Sequence, residues 1–300
     1  MNKNKALYIS DLDGTLLDGS AELSEYTTNA LNAMIANGLH FSIATARTFA
    51  TSGQILADLK LSIPIVLMNG VLIYDIKRQR YIKANKLPAE TVEAIIAVLR
   101  SLNAAGLMYE LRDSEMMTYY ESLEQKPIRD FVEERMTRYN KTFRQTAFSD
   151  VSPEHIIYFT LLDTYDKIKP IHDTLAAQLG LNLTMYKDIY SPDLWYLEMF
   201  SDEASKKNGV DYLRQTCGYE RIICFGDNLN DLPMFAACDI RVAVENAKPE
   251  VKAIADHICD TNNNDGVAKW LEEYTQPPTS EGITPSVGCS NTIVRRMSNG

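Results

Sequence analysis

Four short apolar runs in this chain stop abruptly at a polar residue: ALYIS before Asp11, HFSIA before Thr45, IPIVLM before Asn69 and RIICF before Gly226-Asp227. Each has the length and unbroken hydrophobicity of a strand buried on both faces. Between the first three lie amphipathic segments. Residues 23–37 carry Leu31, Met34 and Ile35 at helical spacing with Gly38 as a stop, and residues 48–59 read as a second helix. Strand alternating with helix predicts an α/β fold on a parallel, Rossmann-like sheet. In such sheets ligands bind in the crevice beyond the carboxyl ends of the strands. Asp11, Thr45, Asn69 and Asp227 are all expected there, so four separate stretches converge on one place.

The stretch from 84 to 190 reads differently. A helix is expected at 89–102, strands near 107–111, 156–162 and 183–186, and a helix at 167–179, in a span rich in aromatics. This pattern predicts an α+β domain inserted into the first. Residues 1–83 and 191–274 would form the core domain, with hinges near 83–87 and 190–195. A helix at 205–216 and strands at 240–244 and 257–258 would complete the sheet. A chain of 300 residues with 45% apolar composition can bury the cores this requires. From Thr275 onward the sequence is rich in Pro, Gly, Ser and Thr without hydrophobic period, which predicts a flexible tail at 275–300.

A formal charge of −10 argues against nucleic-acid or anionic membrane partners, because an acidic surface gains nothing from phosphate counterion release. The apolar stretch before Asp11 is too short for a signal-peptide core, and no run is long enough to span a bilayer. Five cysteines without a C-x-x-C pair fit reduced thiols. A cytoplasmic location is expected. The oligomeric state is not legible.

Asp11-Leu12-Asp13-Gly14-Thr15 sets two carboxylates at alternate positions past a strand, followed by a glycine that permits a sharp turn. An ordinary Asp-Gly turn with solvated acids is the bland alternative. Gly226-Asp227-Asn228-Leu229-Asn230-Asp231 brings more oxygen ligands to the same edge. Magnesium takes one or two carboxylates, waters and substrate phosphate, and Asp11 with Asp227 meets that description. A calcium loop is a poorer fit, since its glycine and closing glutamate are missing at the required positions.

Together with Thr45 after the second strand and a lysine before a helix, DLDGT and GDNLND resemble the four motifs of the haloacid dehalogenase (HAD) superfamily. The position of the insert, between Thr45 and Lys206, is similar to that of the Cof-like sugar-phosphatase group, whose large cap falls there. The resemblance covers residues 6–274. It implies a Mg2+-dependent phosphatase acting on sugar phosphates or nucleotides through an aspartyl-phosphate. Asp11 would be the nucleophile and Asp13 the general acid/base. Thr45 and Lys206 would bind the phosphate, and Asp11, Asp227 and the Asp13 carbonyl would hold the metal.

Physical chemistry supports these roles. A phosphate dianion repels an anionic nucleophile until charge between them is neutralised, which a divalent cation and Lys206 would do. Lys206 and Lys207 are adjacent and only one can enter the cleft; Ser205-Lys206 matches the family pattern, with Lys207 the alternative. Arg47 is either a substrate-anion ligand or a surface ion-pair partner. Asn230 is expected near the phosphate, and Asn69 and Asp231 as hydrogen-bonding groups behind the ligands. The scattered histidines, and Tyr109, Tyr119, Tyr120, Tyr158 and Trp195, read more plainly as structural. A phosphomutase using the same nucleophile, or a silent regulator that only binds a phosphorylated ligand, remains open on sequence.

Overall fold

The computed structural model describes residues 5–188, 191 and 193–275. In chain order it contains β1 (Ala6–Ser10), α1 (Glu25–Ala36), β2 (Phe41–Ile43), α2 (Phe49–Ser52), β3 (Ile65–Leu67), β4 (Leu72–Asp75) and β5 (Arg80–Ala84). Next come α3 (Ala89–Ser101), β6 (Leu107–Arg112), β7 (Glu115–Tyr120), α4 (Lys126–Tyr139), β8 (Phe143–Gln145), β9 (Ile156–Thr164), α5 (Tyr165–Leu175), β10 (Leu181–Lys187) and β11 (Leu194–Ser201). The chain ends with α6 (Lys206–Cys217), β12 (Arg221–Gly226), α7 (Leu232–Ala237), β13 (Ile240–Val244), α8 (Pro249–Lys252), β14 (His257–Cys259) and α9 (Gly266–Thr275).

The apolar runs become the centre of a five-stranded sheet in the order β14-β13-β12-β1-β2. All its pairings are parallel, and β1 lies against β12 from Ala6↔Arg221 to Ser10↔Phe225. That register sets the ends of β1 and β12 side by side, with Asp11 next to the Gly226-Asp227 step. Leu7, Ile9, Ile43, Ile223 and Phe225 are fully or almost fully buried, as double-sided packing between helices requires. The third run joins differently. β3 touches the sheet edge through a single parallel bridge, Ala44↔Val66, and then pairs antiparallel in a three-stranded sheet with β4 and β5.

The segment 48–59 is not one helix. It is helical only over α2, where the hydroxyls of Thr51 and Ser52 both donate to the Thr48 carbonyl, competing with the backbone ladder, and Gly53 follows.

The second sheet has six strands in the order β10-β11-β9-β6-β7-β8. Its last strand, β11, pairs antiparallel with both β9 and β10, so the chain leaves this sheet after Ser201 and not near residue 190. The expected boundary fell short because β11 is chosen by its partners, not by its own composition. Helices α3 and α5 cover one face, packing Val92, Ile95, Leu99, Ile168 and Ile171 on Met108, Phe159 and Met199. Leu107, Tyr109 and Tyr158 on the opposite face, with Ile128, Phe131 and Val132 of α4, belong to the buried cluster that runs into the first domain. The expected tail lies almost wholly outside the described residues, as does part of the second hinge. Among the described residues no helix is long and apolar enough to cross a membrane.

Candidate active site

Strand geometry places the acids. The Asp11 amide donates to the Phe225 carbonyl at 3.0 Å, which pins the residue after β1 to the end of β12. Asp227 follows directly. One helical turn at Leu229–Asp231 then carries Asp231 back underneath, where its Oδ2 accepts from the amides of Asp227 and Asn228, each at 3.0 Å. Oxygen atoms of Asp11, Asp227 and Asp231 lie within 4.8 Å of one another.

Lys206 enters from the opposite side. It is the first residue of α6, whose N-cap Ser205 accepts the Asn208 amide at 3.0 Å. Its Nζ donates to Asp11 Oδ1 at 2.5 Å and to Asp231 Oδ1 at 2.6 Å, and the residue is 1% exposed. Lys207 points to the surface and pairs with Asp211 at 2.6 Å.

Three carboxylates thus face one ammonium, an excess of negative charge in a site shielded from water. Burial pushes the Asp11 carboxyl well above its usual range, and Asp231 and Asp227 add to this while Lys206 opposes it. Burial and Asp231 raise Asp227 to about 6 despite the Thr15 hydrogen bond and the Lys206 charge. Burial works against the Lys206 ammonium, but Asp11 and Asp231 outweigh it and raise its pKa. A divalent cation would relieve the repulsion among the acids, and the donors are the hard oxygens such a cation takes. Asp231 already uses both oxygens on Lys206 and two amides, so it is placed to orient the cluster. Asp11 and Asp227 retain oxygens for a metal.

Asp13, two residues past Asp11, keeps half of its side chain in solvent at 51%. Arg47 grips it with both prongs, Nε to Oδ2 at 2.8 Å and Nη2 to Oδ1 at 2.6 Å. Of the two readings the sequence left for Arg47, the structure therefore shows an ion pair, and its partner is the carboxylate next to the cluster. Burial opposes the Arg47 charge, but Asp13 and the neighbouring Tyr139 phenol outweigh it and raise its pKa.

Thr45 is fully buried, and its hydroxyl accepts the Arg47 amide at 3.1 Å. The Asn69 amide donates to the Thr45 carbonyl at 3.0 Å, while Asn69 Oδ1 is buried with no hydrogen-bond partner among the described residues. Met68, Asn69 and Gly70 all have positive φ, and a Cβ on Gly70 would stand 2.0 Å from the Ser205 carbonyl. The strained turn and the start of α6 are thus pressed together, which fixes where Lys206 begins. Asn230 sits exposed on the turn after Asp227.

Sequence reasoning missed two contributors. Thr15 closes the first motif by donating to Asp227 Oδ1 at 2.9 Å. Asn246, just past β13, donates to the Gly14 carbonyl at 2.7 Å and accepts the Asn262 amide at 2.9 Å. The rule used for the other strands, a polar residue directly beyond an apolar run, points to Glu245 at this strand, so Asn246 one residue further carried no local signal.

A buried carboxylate at the end of the first strand of a parallel sheet, bound by a lysine from a later helix and flanked by two more acids, is an arrangement suited to covalent catalysis by a carboxylate. Residues 8–271 match the model of the haloacid dehalogenase-like hydrolase family, and the chain belongs to that family, in its Cof-like group with a cap between the second and third motifs. It is 26% identical over 282 residues, 91% of this chain and 99% of the relative, to the 5-amino-6-(5-phospho-D-ribitylamino)uracil phosphatase YitU of Bacillus subtilis (strain 168). The pyridoxal phosphate phosphatase YbhA of Escherichia coli (strain K12) is 24% identical, covering 88% of this chain and 96% of its own. A solved haloacid dehalogenase-like hydrolase from Bacteroides thetaiotaomicron superposes with a TM-score of 0.76 at 24% identity, covering 91% of this chain and all of that one (100%). That likeness supports the Rossmann-like core with its inserted cap.

Proposed function

We propose that this protein is a cytoplasmic, magnesium-dependent phosphatase that hydrolyses sugar phosphates or related phosphorylated metabolites through an aspartyl-phosphate on Asp11. It is a phosphoric monoester hydrolase acting on small phosphorylated compounds. The observation that carries the finer reading is the buried Asp11–Lys206–Asp231 chain, with contacts of 2.5 and 2.6 Å, beside Asp227. Relatives named for phosphoribitylaminouracil and for pyridoxal phosphate support a small-molecule ester as substrate.

Magnesium would be held by Asp11, Asp227 and the Asp13 carbonyl, and would neutralise charge between nucleophile and phosphate. Lys206 holds one Asp11 oxygen and leaves the other to attack phosphorus in line, which splits hydrolysis into two easier steps. The Thr45 hydroxyl, already accepting from an amide, has its proton to offer a phosphoryl oxygen. Lys206 supplies positive charge beside that phosphoryl group as negative charge shifts from Asp11 onto it. Asp13 protonates the leaving oxygen and then takes a proton from the attacking water. Arg47 aligns Asp13 bidentately before that step.

Asp11→Asn is expected to fold normally and to lose phosphate release from a panel of sugar phosphates and nucleotides in magnesium. Near wild-type turnover in this variant would overturn the mechanism. Phosphate transfer between sugar positions without release would instead identify a mutase.

A further inference from the structure

Backbone strain is concentrated beside the site. Met68, Asn69 and Gly70 follow one another with φ of 50°, 53° and 94°, a left-handed run in which only the last residue is glycine. Asn69 also buries an Oδ1 that has no hydrogen-bond partner among the described residues. Such a turn persists only where its surroundings hold it. Backbone hydrogen bonds tie it to two residues of the site: the Met68 amide donates to the Arg47 carbonyl at 3.1 Å, and the Asn69 amide to the Thr45 carbonyl at 3.0 Å. On its other side Gly70 lies so close to Ser205 that a Cβ would stand 2.0 Å from the Ser205 carbonyl oxygen and 2.4 Å from the carbonyl carbon. Lys206 is the next residue, so the turn bears directly on the start of α6 and on the ammonium that meets Asp11 and Asp231.

A side chain from a linker holds this turn. Asn85 lies between β5 and α3, where the chain first passes into the cap. It is 6% exposed, its Nδ2 donates to the Gly70 carbonyl at 2.9 Å, and its amide donates to the Val71 carbonyl at 2.8 Å. Ser205 lies in the return segment, between β11 and α6. The two connections between cap and core therefore meet at Gly70, one through a side-chain hydrogen bond and the other through close approach of the backbones.

We infer that Asn85 is a positioning residue of the active site, which holds the Gly70 carbonyl and thereby sets Thr45 and Lys206 against the phosphoryl group. This rests on the phosphatase reading above. Without the Asn85 donor the Gly70 carbonyl is left buried and unpaired, and the strained turn can relax, carrying the start of α6 and the Thr45 backbone with it. A shift of about 1 Å in groups that serve the transition state costs on the order of a hundredfold in rate.

The test uses Asn85→Leu, which keeps the approximate shape and removes the donor. For p-nitrophenyl phosphate in magnesium, kcat should fall at least roughly tenfold while KM stays within about threefold, the pattern of an interaction lost in the transition state. Lys86→Ala, the next residue on the same linker, removes an exposed 3.0 Å contact with His155 and should leave kcat within about twofold. Should Asn85→Leu not fold, Asn85→Ser, whose shorter side chain falls short of the Gly70 carbonyl, carries the same expectation. Unchanged kcat, a rise in KM alone, or an equal loss in Lys86→Ala would overturn the role, whatever the change in Tm. If the wild type hydrolyses no ester at all, the phosphatase reading fails separately. Thermal stabilisation by orthovanadate with magnesium in wild type and Lys86→Ala, but not in the Asn85 variant, then still supports the positioning role. Equal stabilisation of all three, or none, refutes it.

Discussion

Replacing Asp231 by Asn tests whether this fully buried carboxylate organises the site. Asp231 is 0% exposed and accepts three hydrogen bonds, from Lys206 at 2.6 Å and from the Asp227 and Asn228 amides at 3.0 Å each. Asparagine keeps the shape but has one accepting oxygen. Whichever way it turns, its amide N–H2 faces either the Lys206 ammonium or two backbone N–H groups. Removing one partner of a buried ion pair costs about 3–5 kcal/mol. Part of this is offset, because Lys206 keeps Asp11 at 2.5 Å and the repulsion that Asp231 exerts on Asp11 and Asp227 disappears. The expected net loss is about 2–4 kcal/mol, or roughly 5–10 °C in Tm for a core of this size. Urea titration with chelator, followed by fluorescence of Trp270, reports on the core, because that ring packs 5.4 Å from Phe225 at the end of β12. A loss below about 0.5 kcal/mol would refute the reasoning, since surface substitutions alone do that much. Asp11 should also ionise more readily in the variant, because Asp231 is, after burial, the largest influence raising it.

Lys141 predicts a pH dependence. Its folded pKa is about 7 against 10.5 for the free side chain, so between those values the unfolded chain binds a proton that the folded chain lacks. Stability through this group therefore rises with pH across that window, by up to about 5 kcal/mol, and Lys141→Met should abolish the rise in urea midpoints measured at successive pH values. Gly70→Ala and Gly38→Ala share nearly the same φ, +94° and +95°, but a Cβ meets the Ser205 carbonyl at 2.0 Å in the first and nothing within 4 Å in the second. Gly38→Ala should cost about 1 kcal/mol and Gly70→Ala more than about 3 kcal/mol; equal losses would mean that the close approach to α6 does not matter. Thr15→Val removes the 2.9 Å hydrogen bond to Asp227 and should weaken magnesium binding about tenfold by calorimetry. Unchanged affinity would show that Thr15 does not orient the ligand.

The sequence by itself determined the parallel sheet and set Asp11 and Asp227 past the ends of neighbouring strands, because a buried strand writes its length and its end into consecutive residues. The glycine of the first motif and the serine before Lys206 are equally local signals, one for a turn and one for a helix start. Only the tertiary structure decided the rest. β11 joins the cap sheet because β9 and β10 supply its partners, a choice set by residues far away in the chain. The same holds for Arg47, whose neighbours on the chain do not reveal that Asp13 lies opposite, and for Asp231, whose two oxygens are committed only once α6 docks against the strained turn at Gly70. Lys141 was passed over altogether, because a lysine becomes buried and unpaired only when a row of side chains from separate strands closes around it. Local pattern fixes which residues leave a strand and where; the pairing of distant segments fixes what each side chain meets, and that meeting sets charge, proton affinity and fit.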